Sequence, residues 1–457
     1  MANPDMAGHW AARLRDLATR EHVPGAVLGI WAGGRETVAA HGVLNTATGV
    51  ETTPDALFQI GSVTKPWTAT MIVQLAEEGR LALDTPVARL LPGVALGDPD
   101  ASEEVTVAHL LTHTSGIDGD IFTDTGRGDD CLERYVEGLA GVPRVFPPGG
   151  AYSYCNSGFV LAGRIIEVLD GRTWDASLRE RLAGPLGLGQ TVTLPEEAIL
   201  HRAAVGHRPH PHQGERVATW GLPRSVGPAA LICASASDVL AFARLHLDGG
   251  VAADGKRLLS QESVADMLTP RAPIPGTGRR AGAIGLGWRL NSWDGRQVFG
   301  HDGDTIGQSS YLRADSQAGV AACLLTNSAE TEGLFEELFS EILQACAGIT
   351  MPVGLSPVAG PGPLDLGRHT GRYERTSRRF DVSLRDGKLH VVMEATGART
   401  AFSEGPEEFD LHPADAGGDN FAARTQDGEP WTPVSFARLA DQTPYLYLAG
   451  RVTPKTR

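Results

Sequence analysis

Residues 348–367, GITMPVGLSPVAGPGPLDLG, are rich in Pro and Gly and carry no apolar period, so they can extend neither a helix nor a paired strand. Such a stretch divides the chain into a large unit at 1–347, a linker at 348–367 and a small unit at 368–457. The small unit holds short apolar runs, such as 380–384, 388–393, 434–437 and 445–448, separated by turn residues, which predicts a small antiparallel β-barrel. The large unit opens with helical spacing over 9–22 and two strand-like runs, 26–31 and 37–43, joined across Gly33-Gly34. Further strand patterns lie at 286–290, 297–299, 309–313 and 320–326. Helical patterns lie at 62–78, 107–111, 131–139, 158–168, 174–182, 236–247 and 334–346. Strands at both ends with helices inserted between them predict an α+β lobe around a central, largely antiparallel sheet.

Charge and cysteine usage narrow the function. The chain carries 55 acidic against 40 basic residues, a net charge of -15, and no basic cluster, so nucleic acid is not an expected partner. Its five cysteines, at 131, 155, 233, 323 and 346, are dispersed and form no CxxC pair, as expected of reduced thiols. The first residues contain no apolar run of signal-peptide length, and nowhere do 18 apolar residues run uninterrupted. The expectation is a cytoplasmic protein without a membrane span.

The chemistry is concentrated in three short segments. Ser62-Val63-Thr64-Lys65 places a hydroxyl and an amine three residues apart at a helix start, on one face and about 5–6 Å apart at Cβ. Only four of the 40 basic residues are lysines (65, 256, 388 and 455), so a chain that otherwise uses Arg has used Lys beside Ser62. That choice has a reason, since a desolvated Lys can lose its proton and accept one from serine, whereas Arg cannot. The backbone donors of a helix start can also receive an oxyanion.

Downstream, Tyr154-Cys155-Asn156 follows a Pro-Gly turn and precedes a helical pattern, offering a phenol to relay protons and an amide to bind a carbonyl. Tyr152 is a rival for the phenol role. Gly300-His301-Asp302-Gly303 lies between strand patterns, with glycines that admit close backbone approach and a histidine that can donate or titrate. HRPHPHQ brings His207, His210 and His212 together, but the prolines around His210 indicate an extended solvent loop rather than a metal site. Cys155 reads as a packing residue, and no cofactor is expected.

The ordered set SxxK, YxN, HxG, with FQIGSVTKPWTA, VTVAHLLTHTSGI, PGGAYSYCNSGF and GHDGDTIG around it, resembles the serine β-lactamase, esterase and D-peptidase superfamily over about residues 8–347, in its class C-like branch. The resemblance implies a β-lactamase/transpeptidase-like lobe and a lipocalin-like carboxy-terminal barrel. It also implies that Ser62 attacks, that Lys65 and Tyr154 share proton transfer, and that Asn156 and His301 border the acyl group. The N–H groups of Ser62 and Asp304, beside Gly303, would form the oxyanion hole, with the Asp304 carboxylate turned away. Ser115, within LTHTSG, is taken as structural.

Within the superfamily the chain is most similar to stand-alone penicillin-binding-protein-type thioesterases of nonribosomal peptide pathways. That implies a peptidyl thioester substrate, on a carrier protein of the synthetase, with a D-configured residue at the reacting carbonyl, released as a macrocycle. Arg451, after YLYLAG, would then hold a substrate carbonyl or carboxylate from the barrel side. The alternatives are an esterase or D-aminopeptidase that uses water, and a ligand sensor that is acylated without turnover.

Overall fold

The computed structural model describes residues 6–97, 101–208, 214–276, 281–360, 363–403, 405–424 and 431–457. Nine antiparallel strands form the central sheet, in the order Val50–Glu51, Arg35–Asn45, Gly25–Ala32, Val320–Thr326, Gln308–Asp315, Arg296–Thr305, Arg289–Trp293, Gly282–Ile284 and Ala272–Ile274. The two ends of the lobe meet where Gly25–Ala32 pairs with Val320–Thr326, Leu28 opposite Leu324. VAACLLT is buried along its whole length, which is why it reads as a continuous apolar run rather than an alternating one.

Helices cover both faces. On one, Met6–Arg20 and Glu332–Ala347 place Trp10, Leu14, Phe335 and Phe339 against Leu28, Ile30 and Leu324. On the other lies the helix Thr64–Glu77, buried from Thr64 through Leu75; without a polar face it belongs inside the core. Trp67 of this helix stacks on Phe242 of Ala236–Leu247, with ring centroids 3.9 Å apart. Truncating so large a buried ring to Ala costs about 3–5 kcal/mol. The residues after Ser62 are therefore seated rigidly.

Several boundaries differ from the sequence expectation for local reasons. Ser62 lies in a 3₁₀ turn, Gly61–Val63, that feeds the α-helix. The strand expected at 286–290 begins at Arg289, because Gly287 turns the chain at φ +79 where a Cβ would sit 2.6 Å from that of Ala69. The 174–182 helix is α-helical over Trp174–Leu178 and then widens to a π turn, Arg179–Ala183. The strand expected at 297–299 continues to Thr305, so His301 sits within a strand and not in a turn. Gly300 permits this: a Cβ there would lie 1.9 Å from the Leu312 carbonyl oxygen of the paired strand.

Eight antiparallel strands, from Gly371–Arg375 to Arg451–Pro454, pair in sequence order, and a bridge between Tyr373 and Lys455 nearly closes them into a barrel. Its interior holds Tyr373, Phe380, Val382, Leu389, Val391, Phe421 and Leu446. YLYLAG does not contain the final strand. Ala449 and Gly450, both with positive φ, form a two-residue turn that begins one more, headed by Arg451.

Among the described residues, 348–366 form neither helix nor strand, yet Ile349 and Met351 are buried beneath the first and last helices of the lobe. The barrel packs directly on the lobe through Tyr445, Tyr447 and Val452 against Phe146, Tyr152 and Ile284. No helix among the described residues is long and apolar enough to cross a membrane.

Candidate active site

The Lys65 side chain is fully buried and ends among neutral groups. Its Nζ lies 2.9 Å from Ser62 Oγ, 2.7 Å from Asn156 Oδ1 and 2.9 Å from the Ala229 carbonyl oxygen. The two carbonyl oxygens can only accept, so they take two N–H bonds of a neutral amine and leave its lone pair for the Ser62 hydroxyl. Burial, followed by the positive charge of Arg451, pushes the Lys65 amine well below its ordinary range.

Asn156 opens the helix Asn156–Asp170, whose start is fixed by the Cys155 thiol accepting the Gly158 N–H. Burial raises that thiol to about 11, so Cys155 is a packing and capping group and not a thiolate. Tyr154 is tied down from the barrel side, its backbone N–H donating to the Gly450 carbonyl at 2.7 Å. Its phenol hydrogen-bonds Ser62, and burial raises its pKa, which keeps it protonated at neutral pH. Tyr152 points elsewhere, packed against His113 and the barrel residues Tyr445 and Tyr447. The geometry thus selects Tyr154 over its rival.

His301 and Gly303 occupy one face of the strand Arg296–Thr305. A Cβ on Gly303 would lie 2.0 Å from the Ile60 carbonyl oxygen and 2.9 Å from Ser62 N, so only glycine lets this strand pass the Ser62 turn. Gly61, at φ +51, fits against Asp304 in the same way: its Cβ would lie 2.7 Å from Asp304 N. The backbones of Ser62 and Asp304 are thereby brought side by side, while the Asp304 carboxylate accepts from Ser309 Oγ at 2.8 Å.

His301 Nδ1 lies 2.6 Å from the Asp302 carbonyl oxygen, which fixes that nitrogen as the donor. Nε2 is then an acceptor, buried and without a partner among the described residues. Burial and, after it, the Lys65 charge push the imidazole down to about 3, so it is neutral at working pH.

Residues that sequence reasoning left without a role complete the site. His113 of LTHTSG, buried at φ +58, stacks on Tyr154 with centroids 4.3 Å apart and accepts the Cys155 N–H at Nδ1, 2.9 Å away. Asp118 and Asp120 form a buried clamp to the barrel. Asp118 accepts from Arg375 at 2.6 Å and from Ser377 N and Oγ at 2.9 Å, while Asp120 accepts from Arg375 at 2.9 Å and from Arg451 at 2.8 Å. Burial works against the Asp120 charge, but Arg451 and Arg375 outweigh it and hold the carboxyl well below its usual range. Their signal in sequence was GIDGDIF, two acids two residues apart inside an apolar run.

Arg451 is consequently engaged. Beyond Asp120 it donates to the Ala449 carbonyl and lies over the Tyr154 ring, 4.8 Å from its centroid. His207 is buried and bonded to Thr46 N and the Asn327 carbonyl; His210 and His212 lie outside the described residues. Among the described residues no group of three His, Cys, Asp or Glu is placed to hold a metal ion.

The family described as Beta-lactamase matches residues 10–347. "Penicillin-binding protein 4" of Amycolatopsis lactamdurans is 47% identical over 370 residues, covering 80% of this chain and 97% of that protein. The crystal structure of SurE, also solved with D-Leu, superposes with a TM-score of 0.77 at 28% identity and covers 98% of this chain and 99% of its own. A D-stereospecific amidohydrolase from Streptomyces sp. superposes with a TM-score of 0.58 at 26% identity, over 72% of this chain and 99% of its own. With the family match spanning residues 10–347, the 47% identical relative and a class C-like frame in that lobe, the chain belongs to the Beta-lactamase family, as a serine hydrolase or acyltransferase of the penicillin-binding-protein-like type.

Proposed function

We propose that the protein is a thioesterase that acylates Ser62 with a peptidyl thioester ending in a D-configured residue and releases the peptide by macrocyclisation. The observation that carries the acyl-enzyme step is the buried Lys65 amine, 2.9 Å from Ser62 Oγ with only neutral hydrogen-bond partners. As the Oγ–carbon bond forms, the serine proton passes to Lys65 Nζ, and the tetrahedral oxyanion is received by the Ser62 and Asp304 N–H groups. The carbon–sulfur bond then breaks, and the thiolate leaves with a proton delivered through Lys65 and Tyr154. In the second half the peptide's own amine attacks the ester, and its proton returns to Ser62 Oγ by the same relay. An amine held near the ester acts at high effective molarity, provided water is excluded. The barrel turn at Ala449-Gly450, bonded to Tyr154, is placed to exclude it.

The D-configuration is supported by the SurE structure with D-Leu and by the D-stereospecific amidohydrolase, and the thioester by the sequence resemblance. A carrier protein of a nonribosomal synthetase is the proposed partner, and the cytoplasm the proposed location. The second reading, hydrolysis of D-peptides or esters by water, is favoured by the amidohydrolase likeness. One synthetic peptidyl thioester, made with D or L configuration at the reacting residue, separates them. Cyclic product from the D form and a mass adduct on Ser62 are expected. Linear product alone supports hydrolysis, and equal rates for D and L remove the stereochemical claim.

A further inference from the structure

Among the described residues, the barrel end that faces the lobe is not sealed. A cavity of about 240 Å³ opens there, with Phe380, Met393, Phe409 and Leu448 on its walls. These side chains belong to or pack against the barrel core, and the inward rows of two strands continue to the cavity with period two. The row of Val382 and Phe380 ends in Arg378, and that of Leu411 and Phe409 ends in Glu407. Arg375, Arg378, Arg399, Arg424 and Arg451 line the cavity together with Asp120 and Glu407, and Asp118 stands behind Arg375. Asp120 is already taken by Arg375 and Arg451.

Among the described residues, two guanidinium groups are left under-compensated. Arg378 lies 4.0 Å from Glu407, which is half exposed, and Arg399 lies 3.7 Å from Asp120, both beyond hydrogen-bond distance. Their side chains are only 16% and 27% exposed. The Nε donors of Arg375 and Arg451, which also line the cavity, are buried with no acceptor among the described residues. A desolvated cation with a weak counter-ion is costly, and burial together with the neighbouring Arg399 charge pushes Arg378 down to about 10. An anion would relieve it.

We infer that this cavity is a binding site for a carboxylate carried on a short apolar body, with Arg378 and Arg399 as its anion-binding residues. A volume below that of drug-sized pockets restricts the body to a side chain or a short acyl group. The cavity shares Arg451 with the Ser62 site, so one source is the distal part of the acyl substrate; the other is a free carboxylate. The first source rests on the acyl-transfer reading; the binding site itself does not.

Calorimetric titration of the full chain with octanoate and with octanol tests it. Octanoate should bind at least tenfold more tightly than octanol, and Arg378→Gln/Arg399→Gln should weaken octanoate at least tenfold while turning over a small activated ester normally. The single Arg399→Gln variant gives the same direction if the double variant is poorly folded. Ser62→Ala should bind octanoate as the wild type does, which separates this result from any failure of the acyl-enzyme reading. No octanoate binding, equal affinity for octanol, or undiminished binding by the arginine variants overturns the inference. Octanoate inhibition confined to peptidyl thioesters bearing a distal carboxylate identifies the substrate as the source, and binding without such inhibition identifies a free ligand.

Discussion

Two buried cationic sites lie side by side in this molecule and are treated in opposite ways. Arg375 is buried and Arg451 largely covered, with Asp118 and Asp120 against them, so their charges are kept and spent on joining barrel to lobe. Lys65 is buried with carbonyls, a hydroxyl and two aromatic rings around it and, among the described residues, no carboxylate in hydrogen-bond reach. A paired buried charge is structural, whereas an unpaired buried lysine surrenders its proton and is left free to act as a base. Arg451 connects the two, because its charge is the second cause of the low Lys65 pKa.

The comparison breaks most visibly if Lys65 is given a permanent charge. Lys65→Arg should lose about 10²–10⁴-fold in acylation rate, as much as Lys65→Ala, because proton acceptance and not charge is required. Burst kinetics with an activated ester measure it, and near-normal acylation by the Arg variant removes Lys65 as the base.

Stripping the paired site has the next largest effect. Asp120→Asn leaves Arg375 and Arg451 short of a buried partner, and a loss of about 3–5 kcal/mol in urea unfolding is expected. A change within the error of the measurement would show that the clamp is solvated.

The pH profile sharpens the link between the sites. In the proposed mechanism acylation requires neutral Lys65, so its rate should rise with pH through the lowered lysine pKa and level off well below the ordinary lysine range. In Arg451→Ala the nearby positive charge is gone, the Lys65 pKa rises, and the limb should move toward alkaline pH. An unmoved limb denies the coupling. The smallest effect concerns His301: an imidazole held near 3 contributes no inflection between pH 5 and 8, and His301→Gln should leave the shape of the profile in that range unchanged.

How much of this was legible in the sequence depended on distance along the chain. Ser62 and Lys65 are three residues apart on one turn, so helix geometry and the scarcity of lysine were enough to pair them. His301 was found, but its strand was broken too early, since Gly300 and Gly303 read as turn residues when they serve close strand and backbone approach. Of the clamp, GIDGDIF marked the two acids but not what they bind: Asp118 meets Arg375 from 257 residues away and Asp120 meets Arg451 from 331. No local period encodes such a pair. His113 escaped for another reason, because its role is set by stacking on Tyr154 and a left-handed backbone rather than by any motif spacing. The barrel was foreseen from its apolar strands, while Arg451–Pro454, polar and short, carried too weak a pattern to be read as its last one.

The four lysines of the chain make the decisive measurement simple. Protein labelled with ¹³C at lysine Cε gives four side-chain signals, and the one lost in Lys65→Arg belongs to Lys65. Titrated by NMR, that signal should lose its proton well below the ordinary lysine range. A Lys65 signal that titrates within the ordinary range would contradict the claim that this amine is the neutral base of Ser62.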